Sequence, residues 1–104
     1  MAEFVIHKQK LPIFTSSEDL VIFAPYGARV LKISRQFPTD QTPYVWYACD
    51  PQQPDEAMLI HVFGTGQHVP VALLDGYLGT EIFHNGQLVL HFFRPPSKPS
   101  GSSE

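Results

Sequence analysis

Short apolar runs, each ended by proline, glycine or a polar cluster, follow one another along most of this chain. Between Arg29 and Ser34 the pattern predicts a half-buried β-strand, with Val30, Lys32 and Ser34 on one face and Leu31 and Ile33 on the other. Further runs, rich in β-branched and aromatic residues, cover 4–11, 20–23, 44–49, 57–63, 77–84 and 87–93. A series of about six or seven such strands predicts an all-β domain, built as a small antiparallel sandwich or a barrel-like sheet.

A hairpin at the C-terminal end is the clearest local prediction. Asn85-Gly86 joins two of the runs, and both residues accept the positive φ that a type I′ turn requires. A two-residue turn here places Phe83 opposite Leu88 and Thr80 opposite His91. The last two strands are therefore expected to be antiparallel neighbours.

Length and composition predict one domain with a disordered end. A chain of 104 residues, 43% of them hydrophobic, can bury a modest core without disulfides or a metal ion. We expect a single all-β domain over residues 1–94, in which segment 69–74 forms one helical turn or a packed loop. Residues 95–104 are rich in proline, serine and glycine, which predicts a disordered tail.

The charge balance argues against general binding to nucleic acids. The chain has seven Lys and Arg residues against ten Asp and Glu, for a net charge of −3, and its cations are scattered along the sequence. General binding to the phosphate backbone of DNA or RNA is therefore not expected. The fold can still gather Arg29, Lys32 and Arg35 with a distant partner into a local positive pocket.

A single cysteine and the lack of long apolar stretches indicate a cytoplasmic protein. Cys49 has no partner for an intramolecular disulfide, which fits a reducing compartment, and its apolar neighbours predict a small buried side chain. No stretch approaches the ~18 apolar residues of a membrane span, and the first residues lack the pattern of a signal peptide. We therefore expect no membrane association.

The segment around Gly64-Thr65-Gly66, with His61 and His68 on either side, is the best candidate for small-ligand chemistry. The two glycines let the backbone bend and point its N–H groups outward, and a hydroxyl with an imidazole can complete an anion site. The alternative is a plain bulge or tight bend at a strand end. That alternative is favoured because the GxGxxG pattern is absent and no clear helix follows.

Catalytic and metal chemistry have weak signals in the sequence. The five histidines show no H-x-H or HExxH pattern and no cysteine ligand beside them, so no metal site and no cofactor are expected. There is no GxSxG elbow, and most carboxylates fall in predicted loops, where solvated charges are ordinary. A small hydrolase-type enzyme stays an alternative without a proposed catalytic residue.

Aromatic residues are numerous enough to reach the surface as well as the core. Phe92 and Phe93 are adjacent in a strand, so their rings point to opposite faces and one of them covers a second surface. An exposed ring can serve self-association or ligand stacking. For a nucleotide ligand, Trp46 or Tyr44 would stack the base, and an arginine such as Arg29 would supply charge.

Several short boxes follow one another in a set order. They are Pro25-Tyr26-Gly27-Ala28 before a Val-Leu-x-Ile strand, Trp46 with Asp50-Pro51, Phe63-Gly64-Thr65-Gly66 with His68, Tyr77-Leu78-Gly79-Thr80, and the strand 88–93. Over about residues 4–93, this order resembles a family of small uncharacterised domains found in bacteriophages, prophages and plasmids. The family has no established activity, so no functional residue carries over. The resemblance implies an accessory protein that binds a host factor or a signalling nucleotide.

This resemblance, with the lack of a catalytic motif, implies a non-catalytic, phage-type accessory binding protein, which we expect to be homo-oligomeric and located in the bacterial cytoplasm. It would antagonise host defence by binding a host protein or by sequestering a nucleotide-like signal. A structural or scaffolding phage component is the alternative. The predicted ligand-contacting residues are Gly64, Thr65, Gly66, His68, His61, Arg29 and Trp46.

Overall fold

The computed structural model describes residues 3–12, 14 and 16–95. Its strands are β1 Val5–Lys10, β2 Leu20–Pro25, β3 Arg29–Ser34, β4 Tyr44–Cys49, β5 Asp55–Gly64, β6 Tyr77–Phe83 and β7 Leu88–Phe93. Within the described range the one helical element is a 3₁₀ helix, Val71–Gly76, where the sequence predicted one helical turn or a packed loop. The prediction of an all-β fold with six or seven strands is confirmed.

The strands form two antiparallel sheets that pack face to face. The three-stranded sheet has the order β1-β4-β3, and the four-stranded sheet has the order β2-β5-β7-β6. The chain changes sheet after β1, after β2 and again after β4. Each sheet therefore turns one face to a shared core and keeps an outer face of its own.

The core is built from every second residue of the strands. In β4, Val45, Tyr47 and Cys49 are buried, while the residues between them are only half-buried on the outer side. The four-stranded sheet contributes its own alternate positions, Ile22, Ile60, Val62, Leu90 and Phe92. Removal of this apolar surface from water is the main favourable term in the stability of such a sandwich.

The adjacent phenylalanines at the end of β7 lie on opposite sides of the sheet, as the strand period predicts. Phe92 is fully buried in the core between the sheets. Phe93 lies on the outer side, where its ring centroid is 5.8 Å from that of Phe63 and 5.6 Å from that of Tyr77. The second surface that one ring was expected to cover is therefore the outer face of the four-stranded sheet.

The sheets approach each other most closely where β3 lies against β6. Gly79 in β6 has φ +149°, and a Cβ added to it would stand 2.2 Å from the carbonyl oxygen of Ile33. At the same seam, Arg35 Nε lies 3.3 Å from Glu81 Oε1 in an ion pair. The two edge strands are thus in close contact without forming a backbone ladder.

The opposite seam, between β1 and β2, is joined by a side chain. The Gln9 amide donates to the Phe23 carbonyl oxygen at 2.6 Å and to the Tyr47 hydroxyl at 3.0 Å. Both are edge strands, and outward residues such as Ile6 and Val21 are exposed. The molecule is therefore a sandwich, tight along β3 and β6 and more open along β1 and β2.

The C-terminal hairpin has the predicted register but a different turn. Phe83 pairs with Leu88, as expected. His84, Asn85 and Gly86 have φ values of 55°, 55° and 90°, so the turn begins one residue before the predicted Asn-Gly pair. The Gly86 amide donates to the Phe83 carbonyl oxygen at 3.2 Å, which makes His84 and Asn85 the central residues of the first turn.

A tertiary contact accounts for the earlier start of this turn. The Nε2 atom of His84 lies 3.3 Å from the carbonyl oxygen of Phe14, a residue of the core. Histidine also enters the left-handed region more readily than most side chains. The prediction of the turn from the Asn85-Gly86 pair considers neighbouring residues only, so it could not include the contact between His84 and Phe14.

Two further expectations concern the ends of the chain and the membrane. The predicted disordered tail, residues 95–104, lies outside the described residues except for Pro95. No helix in the described part of the chain is long and apolar enough to cross a membrane.

Candidate functional site

Charge is divided between the two sheets. The strands of the three-stranded sheet contain Lys8, Lys10, Arg29 and Lys32 and no acidic residue. The strands of the four-stranded sheet contain Asp55, Glu56 and Glu81 and no Lys or Arg. The net charge of −3 is therefore an average over one sheet with positively charged strands and one with negatively charged strands.

The strand register places the four cations on one side of the three-stranded sheet. Trp46 on the central strand is the partner of Lys8 on one side and of Lys32 on the other. Since side chains of paired residues share a face, these three project from the outer surface together. The neighbouring pairs are Lys10 with Tyr44 and Arg29 with Ala48. We call this surface the basic face, and it comprises Lys8, Lys10, Arg29, Lys32, Tyr44 and Trp46.

Two aromatic rings lie side by side at its centre, tilted by 46° to each other, so that each offers a stacking surface of its own. The ring centroids of Tyr44 and Trp46 are 6.4 Å apart, and both side chains are half-buried. The Lys8 ammonium lies 4.9 Å from the Tyr44 centroid and 5.3 Å from the Trp46 centroid, in cation–π geometry. Lys8 also donates to the side-chain oxygen of Gln36. This surface can stack a planar group and place positive charge beside it.

The Gly64-Thr65-Gly66 segment forms a closed turn at the end of β5. The Gln67 amide donates to the Gly64 carbonyl oxygen at 3.1 Å, and the Gln67 side-chain oxygen accepts from the Gly64 amide. Gly66 supplies the positive φ, +93°, that the turn needs. The amides of Gly64 and Gln67 thus already have partners within the turn.

Thr65 belongs to a hydroxyl and imidazole chain that crosses three strands. Its Oγ1 lies 2.8 Å from His91 Nε2, and the Nδ1 of the same ring lies 2.9 Å from Thr80 Oγ1. Thr80 is in turn hydrogen-bonded to the Tyr77 hydroxyl. The pairing of Thr80 with His91 follows from the predicted hairpin register, whereas the link to Thr65 depends on the pairing of β5 with β7.

The two histidines that flank the glycine turn have separate environments. His61 Nδ1 lies 3.0 Å from Asp19 Oδ2, and the other oxygen of that carboxylate accepts from the Val62 amide at 2.9 Å. His61 is therefore tied to the segment before β2. His68 is exposed, beyond the turn.

The predicted ligand residues therefore fall into two groups. Arg29 and Trp46 come together on the basic face of the three-stranded sheet. His61 and Gly64-Thr65-Gly66 lie at β5 in the other sheet, and His68 follows them in the chain.

Sequence reasoning missed Lys8 and Lys10 as site residues, and it named Lys32 only as a possible member of a positive pocket with Arg29 and Arg35. A signal for them exists, because Lys8 and Lys10, like Tyr44 and Trp46, are two residues apart in a strand and so share a face. The sequence does not reveal that β1 and β3 both pair with β4. Arg35, expected as a possible companion of Arg29, instead pairs with Glu81.

Cys49 is a buried structural residue, as predicted. Its side chain is fully buried, and burial first, then the nearby charges of Asp50 and Asp55, raise the pKa of its thiol. Its sulfur lies 3.9 Å from His7 Nδ1. At neutral pH the thiol is therefore protonated and a poor nucleophile. Within the described ranges, no three His, Cys, Asp or Glu side chains lie close enough together to hold a metal ion.

The outer face of the four-stranded sheet combines apolar side chains with His61, Thr80 and His91. Large apolar side chains are about half exposed on it, namely Val21, Phe23, Leu59, Tyr77 and Ile82. We call these five residues the apolar face. The strands that form it contain none of the Lys and Arg residues that mark the basic face on the other side of the molecule.

A sequence family described as a domain of unknown function, DUF7352, matches residues 3–102. No curated protein and no solved structure matches the chain. The family match supplies no ligand, partner or catalytic residue, so the function has to be argued from the surface of the molecule.

Proposed function

This chain belongs to DUF7352, a family of domains of unknown function, and we propose that it is a binding protein for a small nucleotide-like anion. One observation carries the proposal: four cations surround Tyr44 and Trp46 on a sheet whose strands contain no acidic residue. An aromatic platform beside cations is the combination that holds a base and its phosphate.

The expected energies suit this kind of ligand. Stacking of a base on an aromatic side chain contributes about 1–3 kcal/mol, and a hydrogen bond to a charged group about 1.5–3 kcal/mol. Micromolar affinity corresponds to about 8 kcal/mol, so one stacked base and at least two phosphate contacts are required. A base that stacks on the rings of Tyr44 and Trp46 would displace the Lys8 ammonium from them. The long, flexible side chain of Lys8 allows the displaced ammonium to contact the phosphate of the same ligand.

The dimensions of the basic face favour a small ligand over a long nucleic acid. With strands ~4.8 Å apart and ~3.4 Å per residue, a patch of three strands by four residues measures roughly 10 by 14 Å. That is the size of one or two nucleotides. A longer polyanion would extend beyond the patch onto a chain whose overall charge is −3.

In the cell, we propose that this binding sequesters a nucleotide signal of bacterial defence, in the cytoplasm, as part of a phage-borne accessory protein. The support for this context is the order of the sequence boxes, including Phe63-Gly64-Thr65-Gly66 and Tyr77-Leu78-Gly79-Thr80. The proposed defence role therefore rests on the family resemblance, and the binding of a nucleotide can be tested independently of it.

The binding is tested by titrating cyclic dinucleotides, ADP-ribose and mononucleotides, with thermal stability and calorimetry as readouts. We expect at least one of them to stabilise the protein. Lys32→Glu, which reverses a charge beside Trp46, should weaken that ligand at least about tenfold, or ~1.4 kcal/mol. The double variant Asn85→Asp/Gln87→Glu makes the same change of two negative units in the exposed hairpin turn and should leave the affinity unchanged.

No stabilisation by any of these ligands at millimolar concentration would reject the proposal. So would equal affinities of Lys32→Glu and the wild-type protein. The defence role has its own readout: expression of the wild-type chain should restore phage plating on a strain that uses a nucleotide signal, and Lys32→Glu should not. Ligand binding without restored plating would remove the defence role only.

A second candidate function is protein recognition through the apolar face. Phe23 and Ile82 are 61% and 54% exposed there, so their burial against a protein would be favourable. The wild-type protein should either retain one stoichiometric partner from a bacterial lysate or associate with itself. The Ile82→Lys variant should lose that association. Val71→Lys is the control, because Val71 is more exposed, at 81%, and lies in the 3₁₀ helix outside this face. Equal retention by both variants would exclude the apolar face as the interface.

A further inference from the structure

Two arginines line a cavity at the seam between the two sheets, beside the end of the basic face that holds Arg29. The cavity has a volume of about 320 Å³ and lies between Arg29, at the start of β3, and Arg94, directly after β7. Its apolar wall consists of Ala28, Val30, Leu31, Met58 and Pro95. A volume near 300 Å³ is at the lower end of the range for small-molecule sites.

Arg94 is held in place before any ligand arrives. Its amide donates to the Gly76 carbonyl oxygen at 2.9 Å, and its Nη1 donates to the Val30 carbonyl oxygen at 3.2 Å. The backbones are in such close contact that a Cβ on Gly76 would stand 2.6 Å from the Arg94 carbonyl oxygen. Only one of the five N–H donors of the guanidinium is used by the Val30 carbonyl, so the others can serve a ligand.

Neither arginine of the cavity is neutralised by a carboxylate in the described part of the chain. The ion pairs found there are Arg35 with Glu81 and His61 with Asp19. No Asp or Glu is among the lining residues. Two guanidinium groups on one cavity repel each other, and an oxyanion between them removes that repulsion while accepting paired N–H donors.

We propose that this cavity binds the phosphate of the ligand, so that the ligand is a nucleotide with its base on Trp46 and its phosphate between Arg29 and Arg94. This inference rests on the proposed function and specifies its geometry. Arg29 is opposite Ala48, which is two residues from Trp46 on β4, or ~7 Å along the strand. Ala48, a small residue, lies between the ring and the cavity on β4, with Ile6 of β1 as its partner on the other side.

The test compares a nucleoside with its 5′-monophosphate on the wild-type protein and on two variants. The wild type should bind the monophosphate at least about tenfold more tightly than the nucleoside. Arg94→Gln should reduce this ratio to near one without changing the affinity for the nucleoside. Arg35→Gln removes a guanidinium from outside the cavity and should keep the ratio, with folding of both variants checked by urea unfolding.

Three results separate this inference from the proposed function. An unchanged ratio in Arg94→Gln, with nucleotide binding intact, overturns the phosphate site and leaves the basic face as the ligand surface. If the ratio of monophosphate to nucleoside affinity falls to near one in Lys32→Glu but not in Arg94→Gln, the phosphate lies beside Trp46. That result also overturns the phosphate site in the cavity. Binding of inorganic phosphate that Arg94→Gln abolishes, without binding of any nucleoside or nucleotide, supports the cavity as a phosphate site and rejects the proposed function.

Discussion

At the scale of single residues, two glycines with positive φ have different reasons to be glycine. Gly79 has φ +149° and contacts the backbone of Ile33 so closely that a Cβ would overlap its carbonyl oxygen. Gly27 has φ +82° in the turn between β2 and β3, and a Cβ there would meet nothing within 4 Å. The first is required by the approach of two sheets and the second only by its backbone angle.

This difference predicts unequal effects of the same substitution. Gly79→Ala should lower the free energy of unfolding by about 2–4 kcal/mol, because it adds a clash with Ile33 to an unfavourable φ. Gly27→Ala should cost only about 1–2 kcal/mol, the penalty of a left-handed alanine. Urea unfolding of both variants measures the two values. Equal losses would mean that the seam between β3 and β6 relaxes around the added methyl group.

Sequence reasoning was least reliable at residues whose conformation depends on a distant neighbour. The Asn85-Gly86 pair correctly predicted a hairpin and its register, because turn chemistry is local. The turn nevertheless begins at His84, which lies beside the Phe14 carbonyl oxygen. In the same way, Gly79 was visible only as part of a sequence box, and nothing in the sequence indicated its contact with Ile33.

At the scale of elements, the seam between β3 and β6 depends on one carboxylate. Glu81 lies 3.3 Å from Arg35 Nε through one oxygen, and its other oxygen accepts from the Arg35 amide at 3.2 Å. The Arg35 side chain also donates to the Ile82 carbonyl oxygen and stacks on the Phe83 ring. Since the Glu81 side chain is only 14% exposed, water cannot fully replace these contacts.

We therefore expect Glu81→Gln to destabilise the protein by about 1–3 kcal/mol, because Arg35 loses its charged partner at a half-buried site. Glu56→Gln is the matched control, since it makes the same change at an exposed position of β5 and should have an effect within about 0.5 kcal/mol. Chemical unfolding of both variants gives the comparison. A loss in Glu81→Gln no larger than in the control would show that the apolar contacts of the seam suffice without the ion pair.

The elements themselves were largely predictable, and their arrangement was not. The pattern between Arg29 and Ser34 and the β-prone run of β4 predicted strands that the structure confirms. The predicted faces of β3 were wrong, because an irregularity between Val30 and Lys32 places Val30 and Ile33 in the core and Lys32 outside. Apolar periodicity reports which side of a strand is buried, but it does not report which strand lies beside it. The assignment of β1 to the sheet of β3 and β4 therefore came only from the structure.

At the scale of the whole molecule, the division of charge between the sheets changes the functional interpretation. Seven cations against ten acidic residues argued against general binding to nucleic acids, and that expectation concerns the average over the chain. The basic face is a local exception, because pairing brings Lys8 and Lys32 to either side of Trp46. Of the predicted ligand residues, Arg29 and Trp46 belong to this surface, and the sequence analysis had already assigned both to one nucleotide site.

The order in which the chain visits the two sheets has a consequence for how the protein unfolds. Strands β1, β3 and β4 of one sheet are interleaved along the sequence with β2 of the other, so no single cut yields two fragments that each hold a complete sheet. Neither outer face can persist while the other sheet melts, because both sheets share one core. We therefore expect the basic face and the apolar face to be lost together in a single cooperative unfolding transition, although they lie on opposite sides of the molecule.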